Sequence, residues 1–357
     1  MQDKYKQLLG FSALIVAIQL ITYVAGIPYH LTQLTMTAYY TLLIIGLCML
    51  IGYAGQISLG HAGFFAIGGY FSAFLTTHNM SGIKDNALVA FLSKIHILIL
   101  RNDLYGGQIL VFHPWPACII AVSVALIVAY AVGGPVLKLK GHYLAMATLG
   151  FGIIIYRIVL GTPFLGAADG ISEVPGFMLL PGLEIIGKGS EKVINYYLAW
   201  GFVLAGMLLL LNLIASRVGR ALSAIHGAED AAESMGIPTD AFKLRVFVLS
   251  AGFAALAGVF LTHYNGGIGP SEASVLKSVR YVAIVAIGGM TNLWGAVSMS
   301  LILNYLSLRG TFGTYDDAVF GVVLILIMLF APDGLVQKKF FYDLKSFVKW
   351  PAEKEKA

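Results

Sequence analysis

Long apolar runs separated by short polar connections dominate this chain. No Lys, Arg, Asp or Glu occurs in 7–83, 104–137, 141–156, 193–216, 246–271, 281–308 or 318–332. A helix needs roughly 20 mostly apolar residues to cross a bilayer. The runs are continuous rather than alternating at period two, which argues against a β-barrel. The pattern predicts an all-α, polytopic transmembrane bundle with ten spans, near 8–26, 34–52, 60–77, 116–137, 142–160, 195–215, 246–264, 276–290, 296–308 and 317–332. The whole chain, 1–357, reads as one transmembrane domain. The apolar run near the N-terminus lacks a clear small-residue cleavage pattern and reads as an uncleaved first span.

Three connections are long. Residues 78–115 mix polar residues with FLSKIHILIL, which reads as a surface helix. Residues 161–194 are rich in Gly and Pro. Residues 216–245 contain GRALSAIHGAEDAAESMGI, in which Leu222, Ile225, Ala228 or Glu229, and Ala232 recur at helical spacing. Gly236 and Pro238 provide a stop. A helix this short cannot span. Its acids Glu229, Asp230 and Glu233 disfavour an anionic lipid surface and favour docking in a groove of a protein partner.

Composition sharpens the class. The chain is 58% hydrophobic and 11% charged, against about a quarter charged in soluble domains. The net charge of +5 reflects loop cations that set orientation, not nucleic-acid binding. With the N-terminus in the cytoplasm, that side holds Lys4, Lys6, Lys138, Lys140, Arg217, Arg220, Lys243, Arg245 and the C-terminal lysines. The opposite side holds Lys84, Lys94, Arg101, Lys188 and Lys192. Both termini are therefore expected inside. Cys48 and Cys118 sit in apolar runs, with neither a disulfide framework nor metal spacing. No metal site, cofactor or catalytic residue is expected. GLEIIGKGS (182–190) misses a P-loop because Gly189 stands where the Mg²⁺-binding hydroxyl belongs.

One segment breaks the apolar pattern: GYAGQISLGHAGFFAIGGY, residues 52–70. Gly63, Gly68 and Gly69 need only close helix packing. The joint presence of Gly55, Gln56, Ser58, Gly60 and His61 goes further, because unwound backbone at membrane depth must be buried in protein or line a watery cavity. AIGGMTNLWGAV (286–297) breaks a second run with Gly288, Gly289, Thr291 and Asn292. Paired interruptions in two halves of a chain point to a transport path between pseudo-repeats. The rival reading is two tight turns at the membrane surface. His61 alone reads first as a satisfied interior histidine. Near absence of Asp and Glu inside the spans disfavours an ion-driven carrier.

EDAAESMGI resembles the EAA loop of ABC-importer permeases, the coupling helix that docks on an ATPase. The resemblance assigns Glu229, Ala231, Ala232 and Gly236 to that loop. GYAGQISLGHAGFFAIGGY, KGHYLAMATLGFG, GISEVPG, GRALSAIHGAEDAAESMGI, KLRVFVLSAGFAALAGVF and GGMTNLWGAV follow in the order seen in branched-chain amino acid ABC permeases of the LivM type. The similarity runs from about 34 to 336. Residues 78–115 are longer than the family pattern, and GAADGIS replaces a GGPNGI-like segment.

The resemblance implies a multi-pass subunit of a bacterial inner-membrane importer for leucine, isoleucine and valine. It implies a LivH-like permease partner, two cytoplasmic ATPase subunits that bind the ATP, and a periplasmic amino-acid-binding protein. Asp169, Glu173 and Glu272 are the candidate contacts to that binding protein, with Asp316 and Asp317 weaker ones. The alternatives are a urea or short-amide ABC permease, then a ribose-type sugar permease, and outside the ABC class a channel or carrier.

Overall fold

The structure is a computed structural model and describes residues 2–81, 97–102, 107–139, 141–180, 182–187, 191–311 and 313–330. The first helix, α1, spans Gln2–Val24, and α2 spans Tyr29–Cys48 before widening into a π-helical turn over Met49–Tyr53. Next comes α3, His61–Thr77. Strands β1 (Leu98–Asn102) and β2 (Gln108–Phe112) form an antiparallel hairpin with Leu98 opposite Phe112. It leads to α4, Pro114–Val136, and α5, His142–Gly161. Three short strands follow: β3 (Ile171–Ser172), β4 (Phe177–Leu180) and β5 (Leu183–Ile185).

Beyond them lie α6 (Lys192–Ala215), the short helices α7 (Arg217–Gly227) and α8 (Glu229–Ser234), and α9 (Thr239–Asn265). Strand β6 (Gly267–Ile268) pairs with β3. The described chain closes with α10 (Val275–Gly288), α11 (Leu293–Leu308) and α12 (Asp316–Phe330).

Among the described residues, six helices are long and apolar enough to cross a membrane: α1, α2 with its π turn, α4, α5, α6 and α9. The chain is thus a mostly helical, multi-pass membrane protein. The other four expected spans correspond to shorter helices. At 1.5 Å per residue, α10 with 14 residues rises only about 21 Å, short of a hydrocarbon core about 30 Å thick.

A helix that is apolar all round suits lipid as well as the interior of a bundle. Helix α2 takes the interior, with 94% of its apolar window buried against 11% for α1 at the edge. Its threonines return their hydroxyls to its own carbonyls, as Thr35 does to Leu31 and Thr41 to Thr37. Helix α3 lies against α9 at backbone contact. A Cβ on Gly258 would fall 2.0 Å from the Phe65 carbonyl oxygen, and one on Gly68 2.7 Å from the Ala255 Cα. Two hydrogen bonds stitch the same pair: His61 to Ser250, and Ser72 to His263, each 2.8 Å.

The hairpins gather at one end of the bundle, where Phe177 packs on Phe260 and His263 Nδ1 donates to the Pro175 carbonyl at 2.7 Å. Residues 98–100 of the expected surface helix are extended in β1, paired with Leu110–Phe112. A short apolar run suits either structure by periodicity, and here a partner strand satisfies its backbone. Of the rest of that expected helix, Ile97 forms a bend and 91–96 lie outside the described residues.

Candidate functional site

The first interruption is unwound in the structure. Between the π turn and α3, residues 55–60 are irregular. Gly52 is required by sterics: a Cβ there would lie 1.8 Å from the Met290 carbonyl oxygen. Gly55 takes φ +67°, a conformation that costs an L side chain about 1–2 kcal/mol, and its Cβ position is 2.9 Å from His226 Nδ1. Gly60 meets the Thr148 carbonyl of α5 in the same way, at 2.6 Å.

The freed backbone groups find partners in other elements. Leu59 N donates to Thr148 Oγ1 at 3.0 Å, and Ala62 N, at the unsatisfied start of α3, donates to Ser278 Oγ at 3.1 Å. His61 is wholly buried, with Ser58 Oγ 3.1 Å from Nδ1 and Ser250 Oγ 2.8 Å from Nε2. Both ring nitrogens are thereby engaged. Gln56 is the exception. It is buried, and neither its side-chain oxygen nor its nitrogen has a hydrogen-bond partner in the protein.

The second interruption is a tight turn between α10 and α11. Gly289 has φ +97°. Asn292 caps α11 by accepting from Gly295 N at 3.2 Å, and the Gly295 Cβ position is 1.9 Å from the Gly288 carbonyl oxygen. The two interruptions touch. Cys48 Sγ donates to the Met290 carbonyl at 3.3 Å, and Tyr53 Oη to that of Thr291 at 2.9 Å. Thus Gly55, Gln56, Ser58, Gly60 and His61 share one end of the bundle with Gly288, Gly289, Thr291 and Asn292.

The predicted loop helix lies at that same end, with two corrections. It is two helices, because Ala228 is extended at φ −158°, ψ 99° and ends α7 before α8 begins. Its apolar face also turns inward: Leu222 and Ile225 are buried in this chain, as is Ala232. The reason is a sharp corner after α6. A Gly219 Cβ would lie 2.1 Å from the Ile214 carbonyl oxygen, so the corner folds α7 back onto the bundle. Ser216 caps α7 by accepting from Val218 N.

The exposed face carries Arg220, Ala224, His226, Ala231 and Glu233. Gly236, at φ +82°, terminates α8. Glu229 forms an ion pair with Lys243 of α9. In the sequence Lys243 reads only as a flanking cation, because the fold-back that joins it to Glu229 has no local signal.

At the opposite end, Asp169 and Glu173 are exposed. Glu173 adopts φ +62° and its carbonyl accepts from Arg101 at 3.1 Å. Glu272 is engaged internally, accepting from Tyr40 Oη and from Lys277 Nζ, each 3.1 Å away. Asp316 and Asp317 both pair with Arg280 at 2.7 Å.

Against this geometry, residues 29–331 match the family described as branched-chain amino acid transport system / permease component. The chain belongs to this family. It is 31% identical over 324 residues to the high-affinity branched-chain amino acid transport system permease protein LivM of Escherichia coli K12, covering 85% of this chain and 68% of that protein. It is 27% identical to LivH of the same organism over 321 residues, covering 86% and 96%. Against BraD of Pseudomonas aeruginosa the identity is 26% over 324 residues, covering 86% and 96%. No solved structure matches. The chain is therefore similar to both kinds of permease in these systems, and its relatives are transport subunits rather than enzymes.

Proposed function

We propose that this chain is a permease subunit of an ATP-driven importer for leucine, isoleucine and valine in a bacterial inner membrane, with both termini cytoplasmic. The observation that carries the reading is the junction of the two interruptions, Gly52 against Met290 and Tyr53 against Thr291, beside α7. In this reading a second, LivH-like permease faces the chain, and the path runs between them past Gly55, Gln56, Ser58 and Gly60, with Gly288, Gly289, Thr291 and Asn292 at the facing turn. His61 braces α3 on α9 through Ser250. The ten inserted helices form two pseudo-repeated halves, in which α3, α10, α11 and α12 are short.

Two cytoplasmic ATPases bind the ATP, and one of them takes the exposed face of α7 and α8 around Ala231. Leu222, Ile225 and Ala232 serve coupling from inside, by fastening the helix pair to the bundle. A displacement of α7 then reaches the unwound segment directly, because His226 rests over Gly55. Rigid-body rocking of this kind exposes a path alternately to each side. Asp169 and Glu173 meet the periplasmic binding protein, and Glu272 supports their loop through Tyr40 and Lys277.

The test uses the complete importer in proteoliposomes, with Glu229→Lys in this chain. The substitution sets two ammonium groups against each other where Glu229 and Lys243 now pair. Loss of ATP-dependent leucine uptake is expected. Undiminished uptake without ATP would mark a channel or carrier instead.

A further inference from the structure

A pocket of about 220 Å³ opens between the unwound segment, the turn joining α4 to α5, and the α7–α8 pair. It is smaller than the roughly 300–1,000 Å³ of drug-sized ligand sites, so a fitting occupant is a small metabolite. Its walls divide by chemistry. Leu139 and Leu144 supply apolar surface, while Gln56, His226, Glu229 and Lys243 supply polar groups. The Gln56 side chain is 3% exposed, and both its oxygen and its nitrogen lack a partner in the protein. Both atoms are covered and lie behind the pocket wall; buried polar atoms are almost always hydrogen-bonded, and a turn of the Gln56 side chain brings this orphaned amide to a partner held in the pocket. The neighbouring ion pair retains capacity as well: Lys243 has three N–H donors and Glu229 about four lone-pair sites, of which their mutual contact uses a part.

These groups match one kind of molecule. With the Gln56 side chain turned into the pocket, a carboxylate fits Lys243 and the Gln56 amide nitrogen. An ammonium fits Glu229 and the Gln56 oxygen. A short branched alkyl group fits Leu139 and Leu144. We propose that this pocket binds an aliphatic α-amino acid from the cytoplasmic side, and that the bound zwitterion restrains α7 and α8 and so slows the importer when its product accumulates. The restraint follows from placement: His226 belongs to α7, Glu229 to α8, Lys243 to α9 of the bundle, and Gln56 to the unwound segment. The identity of the amino acid, though not the site, rests on the transport reading above.

The experiment uses the whole complex, both permeases and both ATPases, in nanodiscs without the binding protein. Radiolabelled L-leucine is titrated, and ATP hydrolysis is followed in parallel. Saturable leucine binding is expected, with hydrolysis falling as the site fills. Leu139→Trp fills the pocket from its rim. It should hydrolyse ATP at within about twofold of the wild-type rate, bind leucine at least about tenfold more weakly (about 1.4 kcal/mol), and lose the inhibition. Gln56→Leu, similar in size but without the amide, should also lose binding, which guards against misfolding of the first variant. Absence of saturable binding in the wild type would show that the pocket holds water only and overturn the proposal. So would binding and inhibition unchanged in both variants. Leucine uptake by the wild-type complex with its binding protein is measured separately. If uptake fails while pocket-dependent binding persists, the transport reading falls and the site stands.

Discussion

At the residue scale, the glycines of this chain stand in three different situations. Gly258 admits the Phe65 carbonyl to 2.0 Å of its Cβ position, whereas nothing lies within 4 Å of Gly150. Overpacking of a tight contact costs roughly 1–3 kcal/mol, while Ala for an unconstrained helical Gly gains roughly 0.5–1 kcal/mol. Gly258→Val should therefore lower the thermal unfolding midpoint in detergent and Gly150→Ala should hold or raise it; equal midpoints would refute the close α3–α9 contact. Gly55 is a third case. Gly55→Ala meets a strained φ and the tip of one flexible side chain, so the complex should assemble yet transport more slowly. Normal uptake would remove Gly55 from the path. The sequence exposed the cluster of breakers at 52–61, because Gly, Gln, Ser and His together interrupt an apolar run more than close helix packing requires. It could not separate Gly60, fixed by the Thr148 carbonyl, from Gly55, fixed by its own φ. Those constraints come from segments distant in sequence.

At the scale of elements, α7 and α8 were legible as a short helical stretch with a glycine stop, and Gly236 ends α8 in the left-handed region. Which way its apolar face turned was not legible. A stripe of Leu222, Ile225 and Ala232 fits a partner's groove and this chain's own bundle equally well, and the corner at Gly219 decides for the bundle. Leu222 is fully buried, and buried Leu→Ala changes cost roughly 2–5 kcal/mol. Leu222→Ala should accelerate hydrogen exchange in α7 and uncouple ATP hydrolysis from uptake. Arg220→Ala, on the exposed face, should leave α7 exchange unchanged and weaken ATPase binding. The reverse pattern would put the apolar face outward after all.

At the scale of the whole molecule, helix positions followed the apolar runs closely, since burial in lipid and burial in a core demand the same residues. Span lengths followed less well. Helices α10 and α11 share one apolar region with a turn at Gly289, and a hydropathy pattern cannot tell a short inserted helix from a full crossing. At the hairpin end, β3 pairs with β6 from a distant part of the chain, a contact that the Gly-rich composition does not announce. Beside β6, Lys277 balances Glu272, both mostly buried. Hydrogen bonds to charged groups are worth roughly 1.5–3 kcal/mol. Lys277→Met should cost about that much in unfolding stability, and Lys277→Met with Glu272→Gln should recover part of it. No recovery would mean that the two residues are energetically independent.

The measurement that bears most directly on the function is uptake of labelled leucine in the native host, with the gene deleted and then restored, against unlabelled isoleucine, valine and urea. The expected result is loss on deletion, rescue on restoration, and competition by isoleucine and valine but not urea. Leucine uptake untouched by deletion, with urea uptake lost in its place, would contradict the assignment to branched-chain amino acids while leaving the permease architecture standing.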